Sequence, residues 1–532
     1  MTTNYIKYSL FAGLLAFSLT ACKDDLDLVP KYEVTSASAY NDFSNYKAVL
    51  AKLYAGYAVS GQQGPAGKPD LSGYDEGKSN YLRAYWQLQE LPTDEAVIAW
   101  NDGTLPDLHD MDWTSNNEYT KLMYDRIYYQ ITLCNEFIRE TTNGKLGERG
   151  ISGENLAESK RYRAEARFLR ALSYMHALDF FGNVPFVTET DVVGSFLPKQ
   201  IKRADLFTYI ESELQAIETE LAAPRFEYAR VDQAVAWTTL AKLYLNAEVY
   251  IGQPKYSEAI TYANKVIAAG YTLAPSYKNL FLADNNSNSA AGEVIFPITF
   301  DGQNTKSYGG TTFLVHAPVG GTMKPGDFGI DGGWAGLRTT KNIVNLFADI
   351  TGSTDQRAQF YSDGQKLEIN EVLTYTDGYP ITKYKNVTSA GQPGSDPAKV
   401  FPDTDFPMFR LADVYLMYAE AVLRGGSGGS TATALQYINQ LRERAYGNTS
   451  GDVLLNQLTL DFILDERARE LNWEGHRRTD LIRFGKFTSN TYVWPWKGGT
   501  KDGRGVEAHR NLFPLPTSDL TANPNLVQNP NY

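Results

Sequence analysis

The residue types that carry catalysis are scattered along this chain. Its five histidines, His109, His176, His316, His476 and His509, include no pair at the spacing of a zinc-binding HExxH helix. Gly425-Gly426-Ser427-Gly428-Gly429 has the letters of a GxSxG nucleophile turn. Such a turn follows a strand, whereas a helical pattern precedes this one, so it reads as a flexible linker. GPAGKPD (64–70) lacks the upstream glycine and the Ser/Thr of a phosphate loop. Glycosidases need two acids at a set separation. The 62 Asp and Glu offer many pairs whose separation sequence does not show, so a surface glycoside hydrolase stays open as an alternative.

Two stretches hold more organised chemistry. In DERARELNWEGHRRTDLIRFGKF (465–487), Arg467, Arg469, Arg477, Arg478 and Arg483 alternate with Asp465, Glu466, Glu470, Glu474 and Asp480. One reading is an anion site. The favoured one is an ion-paired junction of two helices, with Gly475 at the turn and Leu471, Trp473, Leu481, Ile482 and Phe484 facing the core. The other stretch is ELPTDEAVIAWNDGTLPDL (90–108), where Trp100 precedes Asn101-Asp102-Gly103. Asn, Asp and Gly are turn formers, while a tryptophan ring normally builds core. Why so large an apolar ring stands among turn formers is the question this stretch raises; core packing is one answer and a ligand contact another.

Such side chains need a scaffold, and the sequence describes one. Apolar residues recur at helical spacing from Ser38 to about residue 60, and at about 117–140, 155–181, 203–222, 231–250, 256–269, 409–424, 431–446, 458–474 and 477–486. Trp237-x-x-Leu240-Ala241-x-x-Tyr244, followed by Ala259, Ala263 and Val266, matches a tetratricopeptide helix pair with a long connecting loop. The expected fold is mainly α, a tetratricopeptide-like helical-repeat scaffold over about 36–60, 117–270 and 409–487. Irregular loops and short strands elaborate it over about 61–116 and 275–400. Within these, 81–113 reads as irregular, and EVIFPITF and TTFLVHAPV read as strands. The proline-rich tail is expected to run extended over the surface.

The N-terminus has one positive charge, Lys7, a short apolar run and then Leu19-Thr20-Ala21-Cys22. Residues 1–22 therefore read as a lipoprotein signal peptide with Cys22 as the lipid-attachment residue, and 23–532 as a single mature domain. An ordinary secretory signal is the alternative. Cys134 has no partner for a disulfide and reads as a small buried hydrophobe. The net charge is −12, and −13 (49 minus 62) once Lys7 is removed, which disfavours nucleic acid as a partner.

Several segments together resemble the SusD/RagB family of outer-membrane nutrient-binding lipoproteins. They are LTACKDD, RAEARFLRALSYMHALDFFGNVPFV (163–187), TDFPMFRLADVYLMYAEA (404–421), the 465–487 run and the closing LFPLPTSDL…NPNLVQNPNY. GQQGPAGKPDLSGYDEG, ELPTDEAVIAWNDG, YLNAEVYIGQPKYSEA, SYGGTTFLV and YVWPWKGG resemble the family's starch-binding founder in particular. The resemblance implies a non-catalytic protein, lipid-anchored in the outer membrane and facing the cell exterior. It would bind starch or malto-oligosaccharides and partner a SusC-like TonB-dependent transporter. By position it implies glycan-binding aromatics at Trp100, Tyr308 and Trp334, with polar contacts at Asp75, Arg83, Asn101 and Asp102. The sequence departs from the founder at Ile98, where another aromatic is expected, and after Phe347, where the segment is shorter. The loop ADNNSNSAAGE (283–293) is poor in acids, so no metal or other cofactor is expected, although the resemblance allows a structural calcium there. A different glycan, such as a fructan, is the alternative ligand.

Overall fold

The computed structural model describes residues 39–532, except 66, 193 and 195. The expected signal peptide and Cys22 lie outside the described residues. The chain forms two compact units, Met1–Tyr46 and Lys47–Tyr532. In the described part of the first, the Tyr40 and Tyr46 rings meet edge to face at 5.2 Å and the Tyr46 hydroxyl donates to the Tyr40 carbonyl.

The second unit is mainly helical. The helices of seven or more residues, counted from the one that enters this unit, are α1 Ser44–Ala58, α2 Tyr81–Glu90, α3 Glu118–Glu140, α4 Gly153–Phe180, α5 Arg203–Ile217, α6 Gln233–Leu245, α7 Tyr256–Ile267, α8 Gly310–His316, α9 Leu411–Leu423, α10 Thr431–Tyr446, α11 Leu460–Leu471 and α12 Arg477–Arg483. Many begin where an N-cap side chain takes up backbone N–H groups that no helix turn can satisfy. Asn117 caps α3, Asp232 caps α6, Ser430 caps α10 and Thr459 caps α11. α3 packs on α4 and α4 on α5, while α6, α7, α9 and α10 pack in succession. The irregular region is thus spliced into the chain between α7 and α9.

Among the described residues, three two-stranded antiparallel sheets anchor the loops: β1 (Val97–Ile98) with β5 (Leu337–Arg338), β2 (Val184–Pro185) with β3 (Gln200–Ile201), and β4 (Val294–Ile298) with β6 (Phe406–Arg410). The β4–β6 pair returns the inserted chain to the start of α9.

Three expectations fail. Residues 81–90 form a capped helix, α2, all ten of whose residues are buried. Its polar residues Arg83, Gln87 and Glu90 do recur at helical spacing, but within a window of only ten residues between irregular loops, too short for the period to stand out. TTFLVH is helical (α8), not a strand, and is also wholly buried. The tail enters the core: Phe513 and Leu515 are buried, with the Phe513 ring 4.7 Å from Trp113. Cys134 is buried as expected, which pushes its thiol up to about 12.

The 465–487 run is the ion-paired junction. Arg467 bonds Asp413 (2.9 Å) and Asp480 (2.7 Å), Arg477 bonds Asp94 (2.7 Å), and Arg483 bonds Glu420 (2.6 Å). Glu470 takes Arg410 (2.7 Å) and Arg357 (3.2 Å), and Glu474 takes Lys383 (2.7 Å). Insertion residues are thereby tied to α11 and α12. Leu471, Trp473 and Leu481 are buried, whereas Ile482 and Phe484 are only half-buried.

Burial alone would raise the Glu466 carboxyl, but Arg357, Arg469 and Arg442 pull it down to about 2. Asp480 is likewise brought to about 2 by Arg467 and Arg483 against burial. Depressed carboxylates stabilise the fold fully above their unfolded values, about 4, and that stabilisation is lost as pH falls toward about 2. Asp405 acts oppositely: burial pushes it up to about 7, so its contribution is lost as pH rises from about 4 to about 7. The urea midpoint should therefore be highest near pH 5 and fall steeply below about pH 4. A flat profile between about pH 5 and pH 3 would contradict this electrostatic account.

Candidate functional site

Trp100 is placed by a sheet of two residues per strand. β1 pairs with β5 in the register Val97↔Arg338 and Ile98↔Leu337, and the Ala99 N–H extends the ladder to the Gly336 carbonyl at 2.9 Å. Trp100 therefore arrives beside the 334–336 segment. Its indole N–H donates to the Trp334 carbonyl at 3.2 Å, and the two indole centroids lie 6.3 Å apart, tilted by 48°. Both rings are half-buried. Behind them, Phe313 of α8 meets Trp100 edge-on at 6.0 Å, and His316 stacks under Trp334 at 4.8 Å. Both His316 ring nitrogens contact carbonyls, Gly332 at 2.6 Å and Val400 at 2.8 Å, which fixes the imidazole under the indole.

Gly336 is required by close approach. A Cβ there would lie 2.5 Å from the Trp100 ring. Gly336→Val should displace the indole and weaken ligand binding at least about tenfold while the helical circular-dichroism signal is retained. Unchanged affinity would show that the indole position is immaterial.

Arg83 joins this aromatic pair to a second group. Its guanidinium lies 4.4 Å from the Phe313 ring and 5.8 Å from Trp100, and it donates to the Gly77 carbonyl at 3.1 Å. Gly77 is a pinch point: a Cβ there would lie 2.9 Å from Tyr308 and 3.4 Å from the Asp75 carboxylate. Burial lowers the Arg83 pKa to about 10, partly offset by Tyr119, Asp75 and Asp102, so the group stays cationic at neutral pH. Only 7% of Arg83 is exposed.

Tyr308 is 39% exposed; its ring rests on Phe401 at 5.3 Å, and its backbone N–H donates to the Glu76 carboxylate. Asp75, Asn101 and Asp102 are exposed. The Asp102 carbonyl accepts the Tyr119 hydroxyl at 3.2 Å, which holds the turn against α3. All seven sequence-expected residues thus fall in one region: two indoles over a Phe313–Arg83–His316 base, Tyr308 and Asp75 across Gly77, and the Asn101–Asp102 turn at the edge. Sequence reasoning missed Phe313, His316 and Gly336, because each is defined by a contact with Trp100 or Trp334 that its own segment does not show.

An apolar cavity of about 370 Å³ lies elsewhere, between α1, the 227–230 segment and β4. Its polar side chains are engaged: Tyr54 with Glu165 and Tyr228 with Asp405, while Arg230 bonds both Glu165 and Glu227. The Trp100 region instead sets half-buried rings beside exposed polar side chains, the pairing of apolar and polar groups that ligand sites use.

In the 283–293 loop, Asp284 is engaged by Ser389 and Asn288. Among the described residues, no group of three or more His, Cys, Asp or Glu is placed to hold a metal, and no helix is long and apolar enough to cross a membrane.

Residues 351–532 match the model of the SusD family. The chain is 38% identical, over the full length of both, to the starch-binding protein SusD of Bacteroides thetaiotaomicron. A SusD-like protein of Bacteroides ovatus is 22% identical over 93% of this chain and 86% of its own. Surface glycan-binding protein A of B. thetaiotaomicron, solved with laminarihexaose, superimposes with a TM-score of 0.68 at 20% identity, over 91% of this chain and 99% of its own. Where the names of these proteins state a role, the role is binding rather than catalysis.

Proposed function

The chain belongs to the SusD family, and on that footing we propose that it is a non-catalytic cell-surface protein that captures starch or malto-oligosaccharides at the Trp100–Trp334 region. The observation that carries this reading is the pair of half-exposed indoles on a fixed base with exposed Asp75, Asn101 and Asp102 beside them. A pyranose has an apolar C–H face that an indole covers and an equatorial rim of hydroxyls that amide and carboxylate groups bind. Two rings tilted by 48° follow a curved chain better than a flat one. The near-full-length likeness to a starch-binding protein favours an α-glucan over a fructan. Arg83, being buried, acts mainly by holding the indole base and the Gly77 turn in place.

In the same reading, Cys22 carries the lipid that anchors the mature chain to the outer membrane, and the captured glycan passes to a SusC-like TonB-dependent transporter. Migration in native gels containing amylopectin tests the binding role. The protein should be retarded relative to a blank gel and should release no reducing sugar from the polymer. Unretarded migration would remove the starch reading, and sugar release that is lost on replacing a single acid would replace it with a hydrolase.

A further inference from the structure

A recess of about 230 Å³ lies between the 73–78 segment and the first turn of α3, lined by Tyr74, Asp75, Lys78, Glu118 and Tyr119. It adjoins the candidate site on two sides. Asp75 belongs to both, and the Tyr119 hydroxyl bonds the Asp102 carbonyl. The Glu118 carboxylate sits so close to Gly103 that a Cβ there would lie 2.6 Å away.

The recess is rigid where it needs shape and free where it needs chemistry. The Tyr74 hydroxyl is fixed on Asp125 at 2.6 Å, and Asp125 also holds Lys121 at 2.5 Å, so the Tyr74 ring is a set wall. Lys78 Nζ and the Glu118 carboxylate, by contrast, make no hydrogen bond or ion pair with any other described residue. Lys78 Nζ lies 6.0 Å from the Tyr119 ring centroid. A free ammonium, a free carboxylate and Asp75 surround a volume smaller than the roughly 300–1,000 Å³ of drug-sized pockets. They supply both donors and acceptors to the vicinal hydroxyls of one sugar ring, as charge-assisted hydrogen bonds. With two carboxylates against one ammonium, the recess suits a neutral ring over an anionic one.

We propose that this recess is a flanking subsite that binds one further neutral hexosyl unit of the glycan held at Trp100 and Trp334. The proposal rests on the glycan-binding reading above and adds a dependence on chain length. The test is calorimetric titration of the wild type, Lys78→Met and Glu118→Ala with maltotriose and with maltoheptaose. Glu118 is exposed and Lys78 half-buried, and neither side chain is hydrogen-bonded or ion-paired to another described residue, so the two variants provide independent checks against misfolding.

In the wild type, maltoheptaose should bind more tightly than maltotriose. Each variant should lose about tenfold in maltoheptaose affinity, the scale of one hydrogen bond to a charged group, with maltotriose affinity unchanged. An undiminished gain with length in both variants would overturn the subsite and leave the Trp100 site standing. Equal loss for both sugars would also overturn it, placing these side chains in the central site. A silent wild type would overturn the glucan reading itself and the subsite with it.

Discussion

Glu470→Ala should lower the stability of the fold by about 3–5 kcal/mol, the scale of breaking a buried ion pair from one side. Glu470 is fully buried on α11 and accepts from Arg410 at 2.7 Å, from Arg357 at 3.2 Å and from Arg444. Removing it takes one carboxylate from each of three interior guanidinium groups, where water cannot replace the lost oxygens; Arg357 keeps Asp355 and Glu466, Arg410 keeps Glu293 and Glu474, and Arg444 keeps only Glu293. The loss should appear in urea melts as a lower midpoint with an unchanged slope, because the surface exposed on unfolding stays the same. Asp461→Ala, which breaks the exposed contact with Lys486, should change stability by less than about 1 kcal/mol. Equal effects of the two substitutions would show that the buried network does not hold the insertion to the helices.

Trp100→Ala should reduce affinity for malto-oligosaccharides by about ten- to a hundredfold. Stacking of a nucleic-acid base on an aromatic ring contributes roughly 1–3 kcal/mol, and a sugar face on an indole is of that order or less. The substitution also removes the edge contact with Phe313 and the hydrogen bond to the Trp334 carbonyl, so Trp334 loses a neighbour as well. The scaffold should be unaffected, since Trp100 is only half-buried and the network around α11 and α12 does not include it. Calorimetry on the variant, with thermal melting as the control for folding, checks both parts. Affinity within about twofold of the wild type would place the glycan elsewhere.

The helical scaffold was legible because α3 to α7 and α9 to α12 recur at helical spacing and are bounded by cap residues such as Asn117, Asp232 and Ser430. α2 and α8 were not, because they are ten and seven residues long and a period needs a longer window to stand out from irregular flanks. In the 465–487 run, the alternation of charge with Leu471, Trp473 and Leu481 pointed to a packed, ion-paired junction. The site was legible only in part. The Trp100–Asn101–Asp102 turn is anomalous in its own segment. Its neighbour Trp334 is 234 positions away in sequence, brought in by a sheet of two residues per strand, and no local pattern announces so short a pairing. Tyr308 and Trp334 came from family resemblance, and the burial of Arg83 came only with the packing of α8 against α2.

The most direct test of the central claim is calorimetric titration of the chain from Lys23 with maltoheptaose, laminarihexaose and a fructo-oligosaccharide in parallel. Saturable heat with maltoheptaose, and little with the other two, is the result expected of an α-glucan site built on Trp100 and Trp334. Silence with maltoheptaose beside clear binding of either competitor would contradict the α-glucan assignment and move the ligand to another glycan within the same family.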